Sequence, residues 1–215
     1  MLSTRLSAII KRIKKNNNII IDVGSDHSYT AINALKYANT EFVYNIEKNN
    51  APLQQGIKNL TRANLLSKTE NIIADGLSTD KITRKIDYCI ISGLGGNTIV
   101  NILTNCKVKN INEYILVAND HPEKIRAFLK NTKQKVSYEE MILENNIYYS
   151  LIQVSLKGKT IKNSTDVLFG PINIEKNTQA FKKYLMFMKI KYTKLFKVSN
   201  KQEYAVILNK INSLL

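Results

Sequence analysis

The chain has little of what builds covalent or metal-held scaffolds. Its 215 residues include two cysteines, Cys89 and Cys106, with no Cys-x-x-Cys pair, and two histidines. That inventory argues against a disulfide framework and against a metal site. Cys89 lies inside an apolar run and reads as a buried, inert thiol. No apolar run approaches the roughly 20 residues that a membrane span needs, and Met1 to Lys15 alternates basic and apolar residues without a signal-peptide core. A cytoplasmic protein with no membrane partner is the expectation. Acidic residues are also scarce, 17 against 32 basic ones, giving a net charge of +15. A positive field of that size favours polyanionic partners, of which nucleic acid is the commonest. The composition is rich in Lys, Asn and Ile throughout, so the charge is weighed against a general bias.

Glycine is missing where a nucleotide fold would need it. The stretch Asn18-Ile-Ile-Ile-Asp-Val-Gly-Ser-Asp-His-Ser-Tyr29 reads as a buried strand ending at a binding crevice, with Asp22 at its end and Gly24 turning the backbone. A dinucleotide site wants G-x-G-x-x-G here, to seat a pyrophosphate on the next helix. Gly24 has no such partners, and Asp26 would repel a phosphate. An acidic pocket of Asp22, Asp26, Glu47 and Asp75 suits a ligand with a sulfonium cation, S-adenosylmethionine.

The rest of the chain supplies the frame. Leu2, Leu6, Ile9, Ile10 and Ile13 recur at helical spacing behind Ser3 or Thr4 as N-cap. Strand-like runs follow at 19–23, 41–46, 69–74, 87–92 and 114–118, with helix-like segments between them at about 29–37, 51–63, 98–103 and 122–130. That alternation predicts a parallel α/β sheet. Runs at 136–143 and 147–156, joined by Glu144-Asn145-Asn146, predict an antiparallel hairpin closing it. This is the outline of a class I methyltransferase, although other α/β folds end in the same way. Beyond Phe169-Gly170-Pro171, residues 175–196 and 201–215 read as two helices. Between residues 175 and 215 nine lysines stand against Glu175 and Glu203, either as a grip on phosphates or as a solvated face over an apolar seam.

Four successive predicted strands end in ligand-type residues: Asp22, Glu47, Asp75-Gly76 and Gly93-Leu94-Gly95-Gly96. Glu47 is placed for ribose hydroxyls and Asp75 for an adenine amine, with Gly76 admitting the flat base; the last three glycines imply close backbone approach to a ligand. Taken singly, each is also an ordinary strand end or turn.

These motifs resemble the bacterial tRNA (adenine-N1)-methyltransferases that modify adenine 22 in the D-loop. The matching stretches are Leu2-Ser-Thr-Arg-Leu6, Asp22 to Tyr29, Glu47, Asp75-Gly-Leu77, Gly93-Leu-Gly-Gly96, Asn119 with Arg126, and Phe169-Gly-Pro171 followed by Glu175-Lys-Asn177. Leu94 replaces the family's usual Met, Val117-Ala118 its Gln-Pro, and Ser150 a Glu. The resemblance implies a Rossmann-like, mostly parallel seven-stranded catalytic domain over residues 1–160, including an N-terminal helix at 2–15, and a coiled-coil-like helical extension over 161–215 that contacts tRNA. It implies S-adenosylmethionine held by Asp22, Gly24, Ser25, His27, Glu47, Asp75, Gly76 and Gly93 to Gly96. A monomer is favoured, the oligomeric state being open.

Adenine N1 carries its own lone pair, so orientation should dominate catalysis once the base has left its stack. Asp26 is the candidate to take or hold an N6 proton, unless it caps the following helix. Asn119 is the candidate for the adenine edge. His27 either positions the ligands or is structural. Tyr29 either stacks on the adenine or packs beneath the first helix, and Arg5 and Arg12 are expected on phosphate. The rival readings are a non-catalytic RNA-binding protein on the same fold and a methyltransferase acting on a substrate other than tRNA.

Overall fold

The computed structural model describes residues 2–215 and contains nine α-helices and seven strands among them. The first helix, α1 (Thr4–Arg12), is capped by the Ser3 side chain, which accepts from the Leu6 N–H at 3.2 Å, and buries Ala8, Ile9 and Ile10. Next come β1 (Asn18–Val23), α2 (Tyr29–Tyr37), β2 (Thr40–Glu47), α3 (Asn50–Arg62) and β3 (Thr69–Ile73). The second half-sheet is β4 (Ile86–Leu94), α4 (Gly96–Thr104), β5 (Ile111–Ala118) and α5 (Pro122–Asn131). It is closed by the hairpin β6 (Lys135–Glu144) and β7 (Ile147–Ser155). Asn145 and Asn146 both adopt left-handed backbone, φ 50° and 62°, the geometry of a two-residue turn whose twist matches its strands.

The strands form one sheet in the order β3-β2-β1-β4-β5-β7-β6, and β7 alone runs opposite to the other six. Period-two alternation sends successive residues to opposite faces. Ile20, Val43, Ile90, Ile115 and Val117 pack on one side with Ile9 of α1, Ala31 and Ala34 of α2 and Leu60 of α3. Ile21, Ile46, Ile91 and Leu116 pack on the other with Ile99 and Ile102 of α4 and Ile125 and Leu129 of α5. The central strands are therefore apolar on both faces, which is why Ile19, Ile20 and Ile21 form an unbroken apolar run up to Asp22. The strand order reverses direction between β1 and β4, and that switch point opens a crevice at the strands' carboxyl ends.

Four further helices complete the chain: α6 (Ser164–Phe169), α7 (Pro171–Lys176), α8 (Gln179–Ser199) and α9 (Gln202–Asn212). The helix expected from residue 175 is interrupted. Asn177 turns left-handed at φ 42°, and Thr178 then caps α8 by accepting from the Phe181 N–H. Phe181, Tyr184 and Leu185 of α8 and Ile211 of α9 join Met141 of β6 and Phe169 in a separate apolar cluster, so the extension sits on the hairpin edge. No helix among the described residues is long and apolar enough to cross a membrane.

Candidate active site

A cleft of about 1030 Å³ lies over the switch point. Its floor is Asp22, Gly24 and Glu47 with Ser92, Gly93 and Leu94; one wall is the turn Ser25, Asp26, His27 and Tyr29, and the other is the start of α1, with Leu2, Ser3, Arg5 and Leu6.

Asp22 dominates the floor. It is 3% exposed, and its Oδ2 has no hydrogen-bond partner. Burial pushes its carboxyl up to about 7; a hydrogen bond from the Ala31 backbone N–H at the start of α2 works against this, and the nearby Glu47 charge adds to it. Glu47 Oε1 accepts from the backbone N–H groups of Lys48 at 2.9 Å and Asn49 at 3.1 Å. Gly24, at φ +71°, turns the chain into the cleft wall. The N–H groups of Gly24 and Ser25 both donate to the Ile46 carbonyl, at 2.9 and 3.3 Å. Those donors would cradle a pyrophosphate in a dinucleotide fold, and here they face the neighbouring strand. With two carboxylates and the Gly24 and Ser25 N–H groups already engaged, the floor is electronegative and suits a cation better than a phosphate.

The wall holds exposed side chains in fixed relation. Asp26 Oδ2 lies 3.5 Å from His27 Nε2, and the Asp26 side chain is 61% exposed. The following helix starts at Tyr29 with Ser28, not Asp26, at its N-cap position. His27 and Tyr29 stack with ring centroids 5.5 Å apart. Tyr29 lies open to the cleft instead of beneath α1.

The remaining predicted residues stand differently. Asp75 lies outside the cleft lining, its Oδ2 paired with Lys48 Nζ at 2.8 Å on the surface. A Cβ on Gly76 would meet the Ile102 side chain at 2.7 Å, and one on Gly95 the Asp120 carboxylate at 2.6 Å. One on Gly96 would strike the His121 carbonyl. The close approach that removed side chains at 76, 95 and 96 is therefore made by the protein itself. Asn119 Nδ2 donates to the Gly93 carbonyl at 2.8 Å, bracing the end of β4. Arg5 lies over the Tyr149 ring at 4.7 Å, with Nε 4.0 Å from Glu144 Oε2. Arg12, also expected on phosphate, is stacked over Tyr138 at 4.0 Å.

Glu144 escaped notice in the sequence because it reads as a turn residue. Its Oε1 accepts from the Arg5 backbone N–H at 3.0 Å and so caps α1 from the hairpin. That hydrogen bond, helped by Ser3 and by the Arg5 charge, holds its carboxyl below the usual glutamate range. Asn33 and Tyr37 of α2 also line the cleft; only their spacing from Tyr29 could have announced them. Among the described residues no group of His, Cys, Asp and Glu side chains is arranged to hold a metal ion.

The sequence matches the family model for tRNA (adenine(22)-N(1))-methyltransferase, TrmK, over residues 20–215. No curated protein matches it. M. capricolum TrmK in complex with S-adenosyl-homocysteine is 30% identical, with a TM-score of 0.85, over 100% of this chain and 96% of that chain. A Streptococcus pneumoniae protein in complex with S-adenosyl-L-methionine is 25% identical, with a TM-score of 0.91, over 100% of both chains. The B. subtilis M1A22 tRNA methyltransferase TrmK has the same fold, at 22% identity and a TM-score of 0.77, over 99% of this chain and 95% of that one. A seven-stranded sheet with its acidic cleft at the switch point and a sequence match running to the last residue lead to one conclusion: the chain belongs to the tRNA (adenine(22)-N(1))-methyltransferase family.

Proposed function

We propose that the cleft over β1 and β4 holds S-adenosylmethionine on Asp22, Gly24, Ser25, Glu47, Gly93 and Leu94, and presents adenine 22 of a tRNA to it beside Asp26. The observation that carries this reading is Asp22, a buried carboxylate with one oxygen unpartnered at the floor of the cleft, beside a second carboxylate. Such a floor favours a cationic ligand strongly, because little solvent screens the attraction. Bound there, S-adenosylmethionine supplies an electrophilic methyl group carried on a sulfonium.

The chain's own residues do the rest. The free carboxylate oxygen of Asp22 receives a donor or a positive charge, and Glu47, at the end of β2, accepts from hydroxyls. Asp120 anchors the turn before α4 by accepting from the Gly96 N–H through Oδ1 at 3.2 Å. Asn119 is a positioning residue acting through the Gly93 carbonyl. Methylation at N1 leaves the adenine ring cationic, and Asp26 holds or takes the proton at N6. Its exposure in the cleft and its freedom from helix capping support that role. Asp75 with Gly76 closes the rim beside Glu47, where the Ala74 N–H donates to the Glu47 carbonyl at 3.1 Å.

Residues 161–215 form the tRNA-contacting extension, supported by Lys183, Lys194 and Lys197, which are exposed on α8 and share one helical face. Tertiary shape of the tRNA selects the loop, with base contacts secondary. The test is incubation with labelled S-adenosylmethionine and unmodified tRNA, followed by digestion and identification of the labelled nucleoside. N1-methyladenosine at position 22 is expected; label in any other nucleoside, or none, refutes the reading.

A further inference from the structure

The cleft lining extends beyond the floor and the Asp26–Tyr29 turn. From the Asp26–Tyr29 turn it runs along α2 and beneath the first turn of α1. Tyr29, Asn33 and Tyr37 recur every four residues and so share one stripe of α2, and all three line the cleft. The two tyrosines are 57% and 55% exposed as whole residues, unusual for aromatic residues inside a built cleft. Helical rise spaces them about 12 Å apart along α2. Leu2, Arg5 and Leu6 line the same space from α1.

The polar groups are fixed in advance. Asn33 Nδ2 donates to the Tyr29 carbonyl at 2.7 Å, which leaves its Oδ1 and a second N–H for a ligand. The Arg5 guanidinium is held by the Tyr149 ring and the Glu144 carboxylate, and it lines the space as an oriented planar cation. The family match begins at residue 20, so α1 lies outside it.

We propose that the Tyr37–Asn33 end of this stripe, in the cleft that Arg5 also lines, is a second binding subsite, for an unpaired nucleobase next to the target adenine. The inference rests on the function proposed above and adds a place for a neighbouring nucleotide. An adenine methylated at N1 leaves its stack, and its neighbours are then without a stacking partner. An exposed tyrosine face replaces that partner for any base. Asn33 offers both a donor and an acceptor to a base edge. The net charge of +15 draws the polyanionic strand to the protein, and Arg5 places a cation in the cleft lining. The subsite is continuous with the catalytic cleft, so one single-stranded loop can occupy both.

The experiment measures tRNA affinity at fixed salt for the wild type, Tyr37→Ala and Tyr37→Phe, on intact tRNA and on tRNAs abasic at the nucleotide on either side of position 22. Tyr37→Ala should weaken binding of intact tRNA about tenfold, as removal of one base–aromatic stack does, while Tyr37→Phe stays within about twofold and both keep wild-type affinity for S-adenosylmethionine. One of the two abasic tRNAs should bind the wild type about tenfold more weakly, with no added penalty in Tyr37→Ala, because each change removes the same interaction. Equal binding of intact tRNA by Tyr37→Ala and wild type overturns the proposal. So does a full abasic penalty in both proteins. If Tyr37→Ala does not fold, wild-type affinity unchanged by either abasic position overturns it by itself. Methylation of position 22 by the wild type on the same tRNA is scored separately, so failure of the subsite and failure of the function are distinct results.

Discussion

Arg126 and Glu139 form an ion pair at 2.7 Å with side chains 1% and 0% exposed. Arg126 Nη1 donates to the Leu168 carbonyl at 3.2 Å and Nη2 to Ser150 Oγ at 3.0 Å. The other Glu139 oxygen accepts from the N–H groups of Ile172 at 2.9 Å and Asn173 at 3.4 Å. One buried pair thus ties α5, β6 and β7 to the start of the helical extension, and a Cβ on Gly170 would strike the Glu139 carboxylate. The Phe169-Gly-Pro171 motif is the docking turn for this pair. Glu139→Ala leaves a guanidinium buried without its partner and should cost about 3–5 kcal/mol in chemical denaturation. Breaking the exposed Lys48–Asp75 pair with Lys48→Ala should change stability by less than about 1 kcal/mol.

Asp22 gives a pH dependence of defined sign. Its folded carboxyl titrates near 7 against an ordinary value of 3.8, so the native state holds the proton more tightly between those limits. The stability associated with that proton is fully present below about pH 4 and is lost as pH rises through about 7. Asp22→Asn should therefore be more stable than the wild type in ligand-free protein at pH 8, with the advantage disappearing near pH 4 in thermal melts. Affinity for S-adenosylmethionine should rise in the wild type from about pH 5.5 to 7 as Asp22 ionises, and titration calorimetry should find that rise absent in Asp22→Asn.

The role proposed for Asp26 lies in the chemical step rather than in cofactor affinity. Asp26→Asn should bind S-adenosylmethionine like the wild type and be slower by about 100-fold or more in single-turnover methyl transfer, the usual scale for a positioned proton acceptor. Unchanged single-turnover rates remove it from that role.

Gly96 is required by packing against the turn before α5, where a Cβ would meet the His121 carbonyl and the Asp120 backbone. Gly96→Ala must displace that turn, which carries Asn119 and, through it, the Gly93 carbonyl at the cleft floor. The expected result is a drop of about 1–3 kcal/mol in stability from overpacking, together with weaker cofactor binding by fluorescence titration.

The lysines of α8 should act through phosphate. Replacing Lys183, Lys194 and Lys197 by Gln should weaken tRNA binding and lower the slope of log affinity against log salt by roughly one for each phosphate no longer neutralised. A slope equal to that of the wild type would assign these lysines to solubility alone.

Local pattern sufficed for much of this protein. Alternation of apolar runs with helical spacing determined the parallel sheet, the Asn145-Asn146 turn its closing hairpin, and the missing glycines after Gly24 the kind of ligand the first turn refuses. These are legible because period and turn chemistry act over a few residues. Which strand-end carboxylate would be buried was decided only in three dimensions. Asp22 and Asp75 look alike in sequence, yet β1 lies inside the sheet and β3 at its edge. Asp22 is therefore desolvated and its carboxyl raised to about 7, while Asp75 meets Lys48 in solvent. Glu139, Glu144 and the buried partners of Arg126 were hidden for the same reason: each matters only because distant segments meet. Sequence spacing sets which face a residue occupies, and the order of the strands sets what that face touches and how much water it keeps.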